Sequence, residues 1–146
     1  MGLFKWEPLT SYEEQKVLQA IADAELETSG ELRLHMDKWC KTDPLYKAKN
    51  LFAHLGMDKT KERNGVLIYV AVKEKKFAIV GDEGINKVVP EDFWESTKEI
   101  IKLYLSKGEL VAGLEAGIAE VGIQLKQFFP YQSDDENELP NEISYG

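Results

Sequence analysis

The stretch from Asn64 to Gly84 constrains the fold of this chain more than any other part of the sequence. Residues 66–72 are almost continuously apolar, and most are β-branched or aromatic, which is typical of a strand buried on both faces. Residues 73–76 are polar and residues 77–80 are apolar again, so the pair predicts an antiparallel hairpin with a turn of about four residues. The hairpin therefore returns the chain to the end of the sheet from which it started.

The segment before the hairpin predicts a helix followed by a strand. Ser11 and Glu14 have the spacing of a capping box at the start of an amphipathic helix, and Gly30 is predicted to end that helix. Residues 31–36 alternate between polar and apolar side chains. This alternation predicts a half-covered strand near the edge of the sheet, with His35 half exposed.

A second helix is predicted to begin at Asp43 and Pro44, the N-cap and first helical position, and to end at Gly56. Strand, helix and strand then form a right-handed crossover, which makes the two strands parallel. Two further helices are predicted over residues 90–106 and 110–129. Helices on both sides of the strands predict an α/β fold, a three-layer αβα sandwich with a small mixed β-sheet.

This topology places four polar residues at one rim of the sheet. Glu31 starts the first strand, Asn64 precedes the second, and Asp82 and Glu83 follow the third. Carboxylate and amide oxygens are the ligands that hard cations such as calcium prefer, so these four residues form a candidate metal site. The alternative is that Asp82 and Glu83 are solvated residues of a turn.

The opposite rim is a second candidate site. The N-terminal end of the second helix attracts anions, and the turn lysines Lys73, Lys75 and Lys76 would add positive charge. The alternative is that Asp43 already caps this helix and that the lysines are solvated. Zinc is not expected, because His35, His54 and Cys40 have no zinc-ligand spacing; His54 is expected on a helix surface.

Composition limits the domain and its partners. Residues 131–146 carry five acidic side chains and no Lys or Arg, out of a formal net charge of −8 for the whole chain. We therefore expect an acidic disordered tail over residues 131–146 and a folded domain over residues 1–130. The acidic balance excludes nucleic acid as an expected partner. Without a signal-peptide pattern or an apolar run of about twenty residues, we expect no membrane insertion and a cytoplasmic location.

Four segments together resemble the TPM domain family: TSGELRLH, RNGVLIYVAV, KFAIVGDEGIN and VPEDFW. The resemblance covers Leu9 to Phe129. That family includes thylakoid-lumen proteins linked to photosystem II repair and many bacterial proteins. The resemblance implies an αβα sandwich, a divalent cation, often calcium, bound near the end of the sheet, and weak acid phosphatase activity in some members.

The resemblance also bears on individual residues of the rim. It implies that Asp82 and Glu83 occupy the turn where family members place acidic ligands, and that Asn64 lies in the Asn-Gly segment before the central strand. Arg63 stands where an Asp commonly precedes Asn-Gly in the family. This exchange removes a carboxylate from the expected cation site.

Two functions follow as hypotheses. The first is a noncatalytic interaction module for stress or repair, in which calcium or magnesium orders the Asp82 rim for a protein partner. The alternative is a weak metal-assisted acid phosphatase acting on phosphomonoesters, with Glu31 or Glu83 as base and Arg63 or Arg33 gripping phosphate. Cys40 is not a phosphatase nucleophile of the Cys-x5-Arg type, because Tyr46 occupies the arginine position.

Overall fold

The computed structural model describes residues 6–132 and 141–146. The elements in chain order are α1 (Ser11–Glu25), β1 (Glu31–Asp37), α2 (Pro44–His54), β2 (Gly65–Ala71), β3 (Lys76–Gly81), α3 (Glu83–Asn86), α4 (Glu95–Ser106), α5 (Leu110–Lys126) and β4 (Ile143–Tyr145). Short 3-10 turns at Met57–Lys59 and Val72–Glu74 precede β2 and β3.

The four strands form one mixed sheet in the order β3-β2-β1-β4. β1 is parallel to β2 and to β4, whereas β2 and β3 form the antiparallel hairpin that the sequence predicts. Helices α1, α4 and α5 pack together on one face, and α2 packs over β2 and β3 on the other. The predicted αβα sandwich with a small mixed sheet is confirmed.

Each face of the sheet contributes to its own hydrophobic core. The larger core joins α1, α4 and α5 to one side of all four strands, and the smaller core joins α2 to the other side of β2 and β3. Every residue of β2 is buried, as expected for a strand covered on both faces. Within the described residues, no helix is both long enough and apolar enough to cross a lipid bilayer.

The position of β1 corrects the prediction that it is a half-covered strand near the edge. β1 lies between β2 and β4, and all seven of its residues are buried. Its apolar side chains enter the larger core, while Arg33, His35 and Asp37 point to the α2 side and are each no more than 7% exposed. His35 is therefore buried rather than half exposed, because hydrogen-bonding partners from other elements cover this polar face.

The C-terminal residues correct the prediction that residues 131–146 stay outside the fold. Ile143–Tyr145 pair in parallel with β1, and Ile143 is 8% exposed in the larger core. Acidic residues dominate the composition of residues 131–146, so composition alone does not reveal the short alternation of apolar and polar residues at 143–145. Residues 133–140, which carry most of those acids, lie outside the described residues.

Several helix ends also differ from the predictions. The capping box uses Thr10 and Glu13 rather than Ser11 and Glu14, and α1 ends at Glu25, with Leu26 as its C-cap, rather than at Gly30. The helix predicted over residues 90–106 begins at Glu95, after the separate short helix α3. The start of α2 at Asp43 and Pro44 agrees with the sequence.

Replacing Ile143 by alanine tests the docking of β4. We expect Ile143→Ala to lower the free energy of unfolding by about 2 kcal/mol, because it leaves a cavity against β1. Ile123→Ala is the matched control, since Ile123 is 54% exposed while Ile143 is 8% exposed. Urea unfolding followed by circular dichroism measures the free energy of unfolding of both variants. Equal losses in the two variants would contradict the docked position of β4.

Candidate functional site

The sheet brings the four predicted metal-site residues to one rim, which we call the acidic rim: Glu31, Asn64, Asp82 and Glu83. The register pairs Glu31 with Gly65, and the Glu31 amide donates to the Asn64 carbonyl over 3.2 Å. The Asp82 amide donates to the Gly65 carbonyl over 3.0 Å. The starts of β1 and β2 and the end of β3 therefore meet, as the topology predicts.

Asp82 has a structural role in the turn that follows β3. It is the N-cap of α3, and its Oδ1 accepts a hydrogen bond of 2.7 Å from the Glu83 amide. The next residue, Gly84, donates its amide to the Arg63 carbonyl over 3.0 Å, and a Cβ at this position would overlap the carbonyl oxygens of Glu62 and Arg63. Glycine is required for this close approach of two backbone segments.

Arg63 binds both carboxylates of the turn. Its Nε and Nη2 donate to the two oxygens of Asp82 over 2.8 and 2.9 Å, and its Nη1 donates to Glu83 Oε1 over 3.1 Å. Arg63 has a left-handed backbone with φ of 53°, which is uncommon outside glycine, asparagine and aspartate. The hydrogen bond to Asp82 is the main reason that the pKa of Arg63 is raised.

Asn64 and Glu31 are the buried residues of the acidic rim. Asn64 is 2% exposed, and its Nδ2 donates to the Ser29 carbonyl over 3.1 Å and to Glu62 Oε2 over 3.4 Å. Glu31 is 4% exposed and lies on the α2 side of β1 by the alternation of the strand. The Asn64 side chain thus ties together the loops that precede β1 and β2.

With Arg63 in place, the side chains of the acidic rim do not fit a divalent cation. Both Asp82 oxygens and one Glu83 oxygen accept from the guanidinium, which puts a positive charge between the two carboxylates. Among residues 6–132 and 141–146, no three His, Cys, Asp or Glu side chains are grouped to hold a metal ion. The four predicted residues share a rim, but they do not form a set of free oxygen ligands.

The sequence reasoning missed two acids beside Arg63. Asp58 contributes to the raised pKa of Arg63, and its Oδ1 is buried without a hydrogen-bond partner in the described part of the chain. Glu62 accepts from Asn64. The available signal was the presence of both acids in the polar connection between α2 and β2.

At the other end of β1, buried polar groups form a network around His35. His35 Nε2 is 2.8 Å from Asp37 Oδ1, and His35 Nδ1 is 2.7 Å from the Ser144 hydroxyl. The Tyr69 hydroxyl donates to Asp37 Oδ2 over 2.7 Å, and Lys47 Nζ lies 4.0 Å from the same oxygen. This network joins β2, β1 and β4 on the α2 side of the sheet.

Burial controls the ionisation of this network. Burial lowers the pKa of His35 by more than the hydrogen bond and charge of Asp37 raise it. Burial also raises the pKa of Tyr69, and hydrogen bonds to Cys40 and Asp37 raise it further. A neutral imidazole therefore stacks on a neutral phenol, with ring centroids 5.9 Å apart.

Among the turn lysines of the second candidate site, Lys76 lies near a carboxylate and Lys73 makes a backbone hydrogen bond. Lys76 Nζ lies 3.8 Å from Glu74, and the Lys73 amide donates to the Lys38 carbonyl over 3.0 Å. The turn is thereby attached to the loop after β1. Asp43 caps α2 by accepting from the Tyr46 amide, and His54 lies exposed at the end of that helix.

The chain is thus an αβα domain with a mixed four-stranded sheet, in which Arg63 binds the two acidic residues of the turn after β3. Residues 7–124 match the TPM domain, and the chain belongs to the TPM domain family. No curated protein matches the chain.

Two solved structures support the assignment of the fold. The BA42 protein of the psychrophilic bacterium Bizionia argentinensis, determined by NMR, is 48% identical, with a TM-score of 0.91 over 96% of this chain and 97% of that chain. The N-terminal domain of the cg2496 protein of Corynebacterium glutamicum is 13% identical, with a TM-score of 0.64 over 93% of this chain and 80% of that chain. The second similarity shows the fold alone.

The lowered pKa of His35 predicts a loss of stability in acid. Below about pH 6.5 the unfolded chain binds a proton at this histidine more readily than the folded chain does, so stability falls as pH falls. We therefore expect wild type to be less stable at pH 5.5 than at pH 7.5 through this group, because the unfolded chain binds the additional proton. Urea unfolding at the two pH values measures the loss.

The other histidine provides the control for this measurement. His54→Gln, at an exposed position on α2, should keep the pH dependence of wild type, whereas His35→Gln should flatten it. The same slope in both variants would show that His35 does not titrate as inferred.

Proposed function

We propose that this protein is a noncatalytic TPM interaction domain in which Arg63, rather than a resident metal ion, supplies the positive charge that orders the acidic rim. The observation that carries the proposal is the two-point contact of the guanidinium with Asp82, extended to Glu83. A rim ordered in this way presents a constant surface to a protein partner without an ion.

The geometry of the pair supports this role for arginine. A planar guanidinium matches a carboxylate with two parallel hydrogen bonds, which gives both strength and a defined orientation. The Asp82 side chain is 5% exposed, while the Arg63 side chain is 39% exposed. The carboxylate therefore depends on Arg63 for its charge balance, while the outer side of the guanidinium faces solvent.

In this proposal calcium competes with Arg63 for the carboxylates of the acidic rim, and magnesium competes more weakly. Calcium requires six to eight oxygen ligands, and magnesium requires near-ideal octahedral geometry. Glu83 is accessible, with a side chain that is 54% exposed, but both oxygens of Asp82 are already engaged. A cation at this rim must therefore displace Arg63, and we expect weak binding.

The alternative function, a metal-assisted acid phosphatase, depends on the same rim. It requires an ion near Asp82 to polarise a phosphoryl oxygen and activate water. Asp82 and Glu83 would have to hold this ion, but both already accept hydrogen bonds from the Arg63 guanidinium. The guanidinium neutralises their charge and would have to move away before an ion could bind. This competition makes the noncatalytic function the one that the geometry supports better.

Calcium titration of Arg63 variants tests the proposal. Asparagine and aspartate tolerate the left-handed backbone of residue 63, so Arg63→Asn and Arg63→Asp change charge with little strain. We expect Arg63→Asp to bind calcium roughly tenfold or more tightly than wild type, because a carboxylate attracts the ion that the guanidinium repels. Amide resonances of residues 81–84 measure binding in the full chain.

Two comparisons make the test decisive. Lys102→Asn, which removes an exposed positive charge from α4, should bind calcium as weakly as wild type does. Tight calcium binding by wild type that Arg63→Asp does not strengthen would contradict the role of Arg63. Metal-dependent turnover of an aryl phosphate that copurifies with the protein and drops in Asp82→Asn would overturn the noncatalytic assignment.

A further inference from the structure

A cleft of about 560 Å³ lies at the carboxyl end of β1, at the rim opposite to the acidic rim. It is lined by the loop of residues 38–42, by the first turns of α2, and by Asp37 and Gly146. We call it the β1 cleft. Its volume is within the range of small-molecule sites.

The β1 cleft lies outside the carboxyl ends of the parallel strands of the sheet. From β1 the chain continues into α2 on one face and then into β2, whereas β4, on the other side of β1, follows α5 of the opposite face. The three parallel strands β4, β1 and β2 have their carboxyl ends at this rim. In open α/β sheets, ligands bind in the crevice outside the carboxyl ends of the strands.

The charges that line the β1 cleft favour an anion. Lys38, Lys41 and Lys47 line it together with one carboxylate, Asp37. His35 and the Tyr69 hydroxyl already contact Asp37, and Lys47 lies 4.0 Å from it. Lys38 and Lys41 are exposed and form no ion pair within the described residues. The side chains that line the cleft thus carry more positive than negative formal charge, on a chain whose formal net charge is −8. Two further carboxylates, Glu74 and Asp43, accept hydrogen bonds from the Cys40 and Tyr46 amides beside it.

Two aromatic rings at the β1 cleft remain open to solvent. Trp39 is 56% exposed and Tyr46 is 61% exposed. The loop that carries Trp39 is fixed, because the Lys38 carbonyl accepts from the Lys73 amide and the Cys40 amide donates to Glu74 over 2.6 Å. Fixed, exposed rings offer a stacking surface to a flat ligand.

We propose that the β1 cleft binds a small phosphorylated ligand that carries a flat ring, of the nucleoside monophosphate class. Lys38, Lys41 and Lys47 contact the phosphate, and the ring packs against Trp39 or Tyr46. Because Asp43 already accepts from the Tyr46 amide at the start of α2, the lysines rather than the helix end recognise the anion. This site is separate from the acidic rim and independent of the function proposed for it.

Titration of the full chain with adenosine monophosphate, adenosine and inorganic phosphate tests this site. We expect saturable amide shifts in residues 38–42 and 46–50 with adenosine monophosphate, and binding roughly tenfold or more weaker with each of the other two probes. Equal binding of adenosine or of inorganic phosphate would overturn the proposed ligand class. Absence of saturable shifts with adenosine monophosphate would overturn the site.

Matched lysine variants separate this cleft from general charge effects. The double variant Lys38→Ala, Lys41→Ala should weaken binding of adenosine monophosphate roughly tenfold or more, since each amine contacts the phosphate. The control removes two exposed lysines elsewhere, Lys102→Ala and Lys107→Ala at the end of α4, and should keep the wild-type affinity. Equal losses in the two double variants would overturn the site. Arg63→Asp should leave this binding unchanged, which distinguishes failure here from failure at the acidic rim.

Discussion

The parallel pairing of β1 with β2 is the constraint on which both rims depend. In this register Glu31 pairs with Gly65 at one end and Asp37 pairs with Ala71 at the other. A slip of one residue would exchange Leu34 with His35 and put polar side chains into the larger core. The register therefore determines which polar groups meet at the acidic rim and which form the network around His35.

At the acidic rim, one arginine changes the chemistry that the turn can support. Asp82 caps α3 and also accepts two hydrogen bonds from Arg63, so the same carboxylate orders the turn and balances the guanidinium. Oxygen groups that are engaged in this way are not free to surround an ion. The fold brings the acids together, and residue 63 decides whether they face a guanidinium or are available to a metal.

The features that were predictable from the sequence are those set by local pattern and by the handedness of the crossover. The β2–β3 hairpin, the αβα layers and the shared rim of Asn64 and Asp82 follow from these rules. The burial of His35 does not follow, because its partner Ser144 is 109 residues away in the chain. The hydrogen bonds of Arg63 could not be predicted from the sequence either. Arg63 makes them from a left-handed backbone conformation that an arginine rarely adopts.

The two rims are electrostatically independent because the strands separate them. β1 has seven residues, so its ends lie about 20 Å apart at roughly 3.3 Å per residue. This separation exceeds the screening length of about 8 Å at physiological ionic strength. A charge change at Arg63 therefore reports on the acidic rim, and at this distance salt screens its effect on the exposed lysines of the β1 cleft.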